Sequence, residues 1–349
     1  MKDLHHVLQP ESAGLARWLA ERDHPAYRAR QIQQWLFKHR VAEFSEMANL
    51  PARLRAQLAE TFRVWTFRCE AVDRAADGTE KLLLKDAAGG RVECVLLRDR
   101  QRRSICISSQ IGCAMQCAFC ASGLLGVERN LSAGEMIEQM LHLQRRLPAE
   151  ERLSHIVVMG MGEPLVNLEQ VLLALDQASD ENGLGISARR ITISTIGIPA
   201  AMRRLARHDR HYHLAVSLHA PNDELRNQLV PANRKTGLRE LLRAADAYFE
   251  GSGRRLTYEY ILLADVNDRL EHARQLVQLL AGRTALLNLI PYNPVAGLPY
   301  RTSTHTAIGR FRDCLRQGGV NVHVREKKGD SINAACGQLR RAECQSAFR

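Results

Sequence analysis

The sequence has no long apolar run. Its 349 residues contain no stretch of about twenty apolar residues, the length that a membrane-spanning helix needs. The first residues, Met1 to His6, also lack the apolar segment of a secretion signal. We therefore expect a cytoplasmic protein without a membrane partner. Nine cysteines in that compartment indicate metal-binding or catalytic roles before structural disulfides.

Lysine is scarce as well. Only 7 of the 49 basic residues are Lys, the other 42 are Arg, and the net charge is +11. Positive charge suits a polyanionic partner, and Arg both pairs with phosphate and stacks on bases, which favours RNA. A GC-rich genome would explain the same Arg content, so composition alone leaves both interpretations open.

The chain also lacks the second cysteine pair that structural zinc sites use. Cys113, Cys117 and Cys120 stand at C-x3-C-x2-C spacing in a short loop, and the next histidine is His142. Three thiolates can hold an iron–sulfur cubane and leave one iron open for a small molecule. We expect a 4Fe–4S cluster here. A zinc site and three buried core cysteines are the alternatives.

The hydrophobic pattern divides the chain into four parts. Residues 1–65 are expected to form a small helical domain, 66–103 a β-hairpin extension, 104–330 the core, and 331–349 a C-terminal tail. Helical spacing of apolar residues occurs three times in the first part, at Ala13–Ala20, Tyr27–Phe37 and Pro51–Phe62. Basic and aromatic residues interleave there, as in RNA-binding surfaces, and we expect the aromatic residues mostly inside and the basic ones outside. The basic residues are Arg28, Arg30, Lys38, His39 and Arg40.

Two strand-like stretches, 79–85 and 91–98, flank Asp86–Gly90, which predicts a hairpin. Glu93 lies in the middle of the second stretch. Its residue type and position alone indicate an ordinary solvent-facing strand residue.

Strand and helix patterns alternate after residue 103. The expected strands are 104–108, 155–159, 190–194, 213–218, 257–262, 285–290 and 320–324. The expected helices are 132–147, 168–179, 199–208, 238–250, 269–282 and 304–317. This repetition predicts an α/β fold, a partial parallel (β/α)6-type barrel with the helices outside. Functional residues in such barrels lie in the loops that follow the strands.

Several polar residues occupy those positions. Gly162 and Glu163 follow the second strand, Ser194 ends the third, and Ser217 and His219 end the fourth. We expect them to converge on one mouth, together with Asn293 after the sixth strand. Each has an ordinary alternative: a helix cap for Glu163, strand-end hydroxyls for the serines, a structural histidine, and a turn residue for Asn293.

Taken together, the motifs resemble one family. The cysteine loop, with Phe119 before its last Cys, resembles the radical SAM superfamily. Across the whole chain, four motifs resemble the RlmN/Cfr family of RNA adenosine methyltransferases: Cys106–Cys113, Met159–Pro164, Ser217–Asn222 and Ala335–Leu339. The resemblance implies a radical SAM barrel, a 4Fe–4S cluster on the three cysteines, and S-adenosylmethionine (SAM) as cofactor.

The resemblance also implies roles for individual residues. The expected SAM contacts are Gly162, Glu163, Ser194, Ser217, Leu218, His219 and Asn293, with Asn293 preferred over Asn288. Cys336 is expected to carry a methyl group and Cys106 to resolve the resulting crosslink to RNA through a disulfide, with Glu93 as proton acceptor. Two SAM molecules are consumed in each turnover. Basic residues expected to hold the RNA backbone near the mouth are Arg189, Arg190, Arg325, Lys327 and Lys328.

The choice between carbon 2 and carbon 8 of adenine rests on two prolines. Pro164 and Pro291 resemble the RlmN branch, which acts on adenosine 2503 of 23S rRNA and adenosine 37 of certain tRNAs. The expected partners are therefore 23S rRNA, tRNA and an electron donor such as flavodoxin or ferredoxin, with the protein a monomer. Cfr-type carbon-8 methylation, another radical SAM reaction and a zinc-bound RNA-binding protein are the alternatives.

Overall fold

The computed structural model describes residues 4–10, 14–325 and 329–339. Within these ranges a ten-stranded sheet carries most of the fold, and two small two-stranded sheets accompany it. No helix in the described ranges is long and apolar enough to cross a membrane. Part of the predicted C-terminal tail, residues 340–349, lies outside the described residues, as do Lys327 and Lys328.

The N-terminal unit is helical, as predicted. Its elements are β1 (His5–His6), α1 (Leu15–Ala20), α2 (Tyr27–Gln34), α3 (Ala52–Thr61) and β2 (Phe62–Arg63). Helix α2 continues as a π-helical turn at Trp35–His39, in which Leu36 and Phe37 are buried. Tyr27 is an exception to the prediction that the aromatic residues of this unit lie inside, because its side chain is 55% exposed.

Four antiparallel strands follow. They are β3 (Phe67–Arg74), β4 (Glu80–Asp86), β5 (Arg91–Asp99) and β6 (Arg102–Cys106). The predicted hairpin is confirmed as β4 and β5, and β3 adds an edge strand that the pattern does not predict. Beyond β6, the short strands β7 (Gln110–Gly112) and β8 (Val127–Asn130) pair with each other outside the main sheet.

The rest of the main sheet is parallel. Six further strands follow β6 in sheet order: β9 (His155–Val158), β10 (Ile191–Thr195), β11 (His213–Ser217), β12 (Leu256–Leu262), β13 (Ala285–Pro291) and β14 (Val322–Val324). The α/β class and the parallel core are thus confirmed. With β6, the described core holds seven parallel strands, one for each predicted strand, and the short β14 pairs with β13.

Eight helices belong to this core in the described ranges. They are α4 (Ala133–Gln144), α5 (Leu168–Ser179), α6 (Pro199–Ala206), α7 (Asp223–Leu229), α8 (Asn233–Thr236), α9 (Leu238–Ser252), α10 (Leu270–Leu280) and α11 (His305–Gln317). The six predicted helices are confirmed. The short α7 and α8 were not predicted, since neither is long enough to show a helical repeat.

Burial along β10 shows how the strands are oriented. Ile191 and Ile193 are buried in the core, whereas Ser194 faces the cavity inside the partial barrel. This alternation follows from the two-residue period of a strand. Consecutive parallel strands therefore present one row of side chains to the cavity and the other to the helices.

Arg40 joins the N-terminal unit to the core. The prediction that it lies outside with the other basic residues is wrong. Its guanidinium donates hydrogen bonds at 2.5–3.2 Å to four carbonyl oxygens around the C-terminal end of α4, those of Gln144, Leu147, Pro148 and Glu151. A cation at a helix C-terminus satisfies carbonyls that have no partner within the helix.

Glu138 makes a second connection between the two parts. This side chain of α4 is fully buried and accepts hydrogen bonds from the N–H groups of Thr66 and Phe67 at 2.7–3.0 Å. The rings of His6 and His142 also contact it, at 3.1 and 3.4 Å. The N-terminal unit is thereby fixed against the core through backbone groups that directly follow it.

Candidate active site

The cysteine loop is held between β7 and β8. Gly112 at the end of β7 has a φ angle of +79°, and a Cβ atom there would overlap with the carbonyl oxygen of Gly126. The N–H of Cys113 donates to that same oxygen at 3.0 Å. Backbone contacts alone therefore fix where the loop begins and ends, and glycine is required at its entrance.

The three thiols of the loop line one cavity at the carboxyl ends of the parallel strands. Burial raises the pKa of Cys113, to about 11, and of Cys117 and Cys120. The neighbouring thiols Cys120 and Cys113 raise the pKa of Cys117 further. Three thiolates in one buried cavity need a positively charged partner, so this donor set fits the predicted iron–sulfur cluster. Among the described residues, no three His, Cys, Asp or Glu side chains converge on the position of a single metal ion.

The two glycines after β9 pack directly against the segment that enters the cysteine loop. Gly162 has a φ angle of +102°, and a Cβ atom there would lie 2.6 Å from the Cβ of Gln110. At Gly160 an added Cβ would lie 2.5 Å from the hydroxyl of Ser108. The Gly-Met-Gly sequence is therefore required by close packing, and both glycines line the cavity.

Glu163 is buried and connects two strand ends. Its carboxylate accepts hydrogen bonds from the Thr195 hydroxyl at 2.7 Å, the N–H of Ile196 at 3.0 Å and the N–H of Leu165 at 3.0 Å. Burial raises the pKa of Glu163, although these hydrogen bonds oppose the shift. The capping role that the sequence left open is present, and the SAM contact stays a prediction.

Ser194, Ser217 and His219 line the same cavity, as predicted. Burial, together with the charge of Arg226, lowers the pKa of His219 to about 3, so the ring is neutral. Its Nδ1 accepts a hydrogen bond from the N–H of Ile261 at 3.1 Å, which places the ring proton on Nε2. The ring lies edge-on to Phe119 of the cysteine loop, with 4.8 Å between centroids.

Leu218 and Asn293 do not join this lining. The Leu218 side chain is buried in the main hydrophobic core and does not line the cavity. Asn293 lines a second, adjoining cavity together with Asn288. The side-chain oxygens of both asparagines are buried and have no hydrogen-bond partner among the described residues. The geometry thus brings both asparagines together and does not select Asn293.

Cys106 and Cys336 face this second cavity, and Cys336 also lines the first. Both are free thiols. Burial and the nearby Cys336 raise the pKa of Cys106 to about 12, against the lowering effects of the Met159 backbone and Arg325. The two outlying cysteines that the sequence singles out are therefore brought together, beside the cysteine loop.

The segment that follows Cys336 is held in place by two hydrogen bonds. The Ser122 hydroxyl, next to the cysteine loop, donates to the carbonyl oxygen of Leu339 at 2.5 Å. The Gln338 amide donates to the carbonyl oxygen of Pro294 at 3.1 Å. These contacts hold Cys336 at the junction of the two cavities.

Glu93 is buried rather than solvent-facing, so the interpretation from its residue type and position alone is wrong. It lies on the same face of β5 as Val95 and Leu97, which line the second cavity. Its carboxylate pairs with Lys81 at 2.9 Å. The role that the family resemblance implies for Glu93 is not tested by this placement, but the residue lies on the correct face.

Arg226 is a buried residue next to the site that the sequence did not reveal. Its side chain is 1% exposed and donates hydrogen bonds to the carbonyl oxygens of Ile196, Ser217 and Leu218 at 2.6–3.0 Å. It thereby joins the ends of β10 and β11. The sequence offers one signal that could have identified it: Arg226 lies in the helix that directly follows the Ser217–Asn222 motif.

Glu259 is a second residue of the site that the sequence motifs did not indicate. It is 4% exposed, lines the first cavity, and one carboxylate oxygen has no partner among the described residues. Burial raises the pKa of Glu259, and Arg325 opposes the shift. The sequence signal is an acidic residue in the middle of the otherwise mostly apolar strand Leu256–Leu262.

The prediction that Arg189 and Arg190 lie near the mouth of the barrel is wrong. Arg189 and Arg190 directly precede β10 and so lie at the amino ends of the strands, opposite the cysteine loop. Arg325 points into both cavities, where the charge of Cys336 raises its pKa despite burial. Of the N-terminal basic residues, Arg30 and Lys38 are exposed, as predicted.

Comparisons with known proteins give one consistent result. The family model of the Radical SAM superfamily matches residues 107–277, and that of the ribosomal RNA large subunit methyltransferase N-terminal domain matches residues 6–64. A protein of Rhodopirellula baltica named probable dual-specificity RNA methyltransferase RlmN is 62% identical, over 97% of this chain and 91% of that protein. A protein of the same name from Symbiobacterium thermophilum is 48% identical, over 93% and 88%. The crystal structure of a radical SAM methyltransferase from Sphaerobacter thermophilus superposes with a TM-score of 0.93 and 41% identity, covering 96% of this chain and 99% of that one.

Proposed function

Because the chain belongs to the RlmN family of radical SAM methyltransferases, we propose that it methylates carbon 2 of adenosine in RNA. The proposed targets are adenosine 2503 of 23S rRNA and adenosine 37 of tRNAs. The names of its relatives support an RNA substrate. The choice of carbon 2 rests on Pro164 and Pro291, which resemble the RlmN branch.

One observation carries the proposal: Cys336 and Cys106 face the same cavity, and Cys336 also reaches the cavity of the three loop cysteines. Carbon 2 of adenine is a poor nucleophile, so the methyl carbon has to arrive there as a radical. A cysteine that carries the methyl group separates the methyl donor from the radical source. A second cysteine within reach can then release the product by attack on the first sulfur.

The cofactors would occupy the first cavity. The three loop cysteines would hold a 4Fe–4S cluster, and SAM would lie against Gly162, Glu163, Ser194, Ser217 and His219, with Asn293 at the edge of the site. Bound together, cluster and SAM supply a 5′-deoxyadenosyl radical. Neutral His219 offers an Nε2–H donor, and Arg226 keeps the ends of β10 and β11 in place.

The protein's own residues then act in sequence. The Cys336 sulfur accepts a methyl group, which loses a hydrogen atom to the radical, and the resulting carbon bonds to carbon 2 of the base. Glu93 takes the proton that carbon 2 loses. Cys106 attacks the Cys336 sulfur and breaks the sulfur–carbon bond, and the released carbon takes up a proton to become the methyl group. The unpaired electron of the adduct would return to the cluster, which leaves a closed-shell disulfide that an external thiol reduces. The base must leave its stack to reach this cavity.

The proposal also covers the number of SAM molecules, the electron donor, the oligomeric state and the cellular compartment. One SAM provides the methyl group and a second provides the radical, so two are consumed in each turnover. A donor such as flavodoxin or ferredoxin would supply the electron that the cluster needs. We propose that the protein acts as a monomer in the cytoplasm, where both RNA substrates are found.

A product assay tests the proposal directly. The cluster is reconstituted without oxygen, SAM, a reductant and a 23S rRNA fragment or tRNA are added, and the digested nucleosides are identified by mass spectrometry. We expect 2-methyladenosine from the wild type and none from Cys336→Ala. The RNA that yields it decides between rRNA and tRNA. A product of 8-methyladenosine would instead assign carbon-8 chemistry, and SAM cleavage without either nucleoside would contradict the RNA assignment.

A further inference from the structure

Lys81 and Glu93 form an ion pair inside the protein. The Nζ atom of Lys81 lies 2.9 Å from Oε1 of Glu93, and the two side chains are only 9% and 4% exposed. They lie on adjacent antiparallel strands, β4 and β5, where Lys81 is directly opposite Val95. Diagonal neighbours on one face of a sheet are within reach of long side chains.

This pair lies on the cavity face of the sheet. Val95, two residues from Glu93, lines the second cavity and is paired with Cys106 on β6. The Glu93 carbonyl oxygen accepts a hydrogen bond from the Ser108 hydroxyl at 2.7 Å, just past the carboxyl end of β6. Glu93 therefore lies on the same face as this cavity lining, near the carboxyl end of β6.

Burial creates a problem for a carboxylate that has to accept a proton. Without a partner, desolvation favours the neutral form, and a neutral carboxyl group cannot act as a base. An ammonium group at 2.9 Å favours the ionised form. Buried ion pairs contribute little net stability, because desolvation offsets their attraction. A purely structural explanation of Lys81 is therefore weak.

We propose that Lys81 is a positioning residue for proton removal from carbon 2 of the target adenine, an inference that rests on the proposed function. Lys81 keeps Glu93 ionised and fixes the direction of its carboxylate. In the step itself the C–H bond at carbon 2 breaks, its electron pair stays on the base, and the proton bonds to a Glu93 oxygen. Lys81 never touches the substrate.

Asp73 completes the arrangement. Its Oδ2 lies 3.4 Å from Lys81 Nζ, and its side chain on the edge strand β3 is 52% exposed. The ammonium group is thus held between an outer carboxylate, that of Asp73, and a buried one, that of Glu93. This geometry limits the positions that the Lys81 side chain can take. Lys81 in turn restricts the orientation of the Glu93 carboxylate.

The test compares Lys81→Met with Lys85→Met in the reconstituted full-length enzyme. Lys85 lies on the same strand and pairs with Glu70 at 3.5 Å, so its variant removes a lysine and an ion pair of the same sheet without touching Glu93. Three quantities are measured separately: methylation of Cys336 by mass spectrometry, 5′-deoxyadenosine, and 2-methyladenosine. Gel electrophoresis follows the covalent protein–RNA adduct.

We expect Lys81→Met to methylate Cys336 and form the adduct, but to yield 2-methyladenosine about 100-fold more slowly, the usual size of an acid–base contribution. Adduct should accumulate in this variant, and replacing hydrogen by deuterium at carbon 2 should slow product formation more than in the wild type. Lys81→Arg should recover most of the rate, and Lys85→Met should match the wild type.

If Lys81→Met fails to fold, Lys81→Gln removes the charge but keeps a polar head group beside Glu93, and adduct should accumulate in it in the same way. Formation of 2-methyladenosine at the wild-type rate by a folded Lys81→Met or Lys81→Gln overturns the inference. If the proposed function itself is wrong, the wild type also forms no 2-methyladenosine, so the two failures are distinguishable.

Discussion

The N–H of Ala121 donates a hydrogen bond to the carbonyl oxygen of Gly337 at 2.8 Å, which joins the cysteine loop to the segment next to Cys336. Ala121 directly follows Cys120, and Gly337 directly follows Cys336. The two functional elements are therefore fixed to each other by backbone groups. A change in the contacts between these two elements should alter how Cys336 is presented to the cavity.

Ser122→Ala tests this connection. The variant removes the hydrogen bond from the Ser122 hydroxyl to Leu339, which is worth about 1 kcal/mol. We expect methylation of Cys336 to slow by roughly fivefold, because the segment is less firmly held. The Ser122 side chain also hydrogen-bonds the Cys120 thiol. Iron content and the visible absorption of the reconstituted protein are therefore measured as well, and both should stay close to wild-type values because all three cysteines are still present. Loss of iron together with methylation would show that Ser122 supports the loop rather than the segment.

Glu138→Gln should destabilise the fold in a pH-dependent way. Burial alone would raise the pKa of Glu138, but hydrogen bonds from His142 and His6, the charge of His6 and a hydrogen bond from Thr66 lower it to about 2. A lowered pKa stabilises the fold above the unfolded-state value of 4.5, and this contribution is lost as the pH falls toward 2. We expect the variant to lose about 3 kcal/mol at neutral pH, and the difference to narrow below about pH 4.5.

Urea unfolding at several pH values measures that difference. Glu60→Gln is the matched control, since Glu60 is exposed on α3 and should change the free energy of unfolding by less than about 0.5 kcal/mol. A constant gap between Glu138→Gln and the wild type down to pH 3 would contradict the electrostatic explanation.

The sequence predicts the elements better than it predicts the site contacts. The parallel strands and the six longer helices follow from local periodicity, and the cysteine loop from local spacing. The buried Lys81–Glu93 pair escapes such reasoning, because its strand pattern also suits a surface hairpin. The contact between Ser122 and Leu339 joins residues 217 positions apart, and no local pattern encodes it. Arg226 shows the same limit, since its partners are carbonyl oxygens, which every sequence has.

Gly162→Ala should lose both stability and SAM binding. The new Cβ would lie 2.6 Å from the Cβ of Gln110 and 2.8 Å from the Ser109 hydroxyl, and the φ angle of +102° adds backbone strain. We expect a loss of about 2–4 kcal/mol in the free energy of unfolding, the sum of strain and overpacking. Gly282→Ala separates the two effects, because its φ angle is +76° and no atom lies within 4 Å of the added Cβ. That control should lose only about 1 kcal/mol, and equal losses in both variants would show that packing at Gly162 is unimportant.

Cys117→Ala decides what the cysteine loop holds. The cavity provides three thiols whose pKa values are raised by burial, and a cluster needs all three of them as ligands. We expect the anaerobically reconstituted wild type to be brown, with about four irons per chain, and Cys117→Ala to lose most of that iron and its absorption near 400 nm. Cys69→Ala is the matched control, because Cys69 is an exposed thiol on the edge strand β3, and it should keep the full iron content. Metal analysis of the two variants checks both expectations. A colourless wild type with stoichiometric zinc would show that the loop binds zinc, the alternative that the cysteine spacing leaves open. That result would also contradict the radical mechanism.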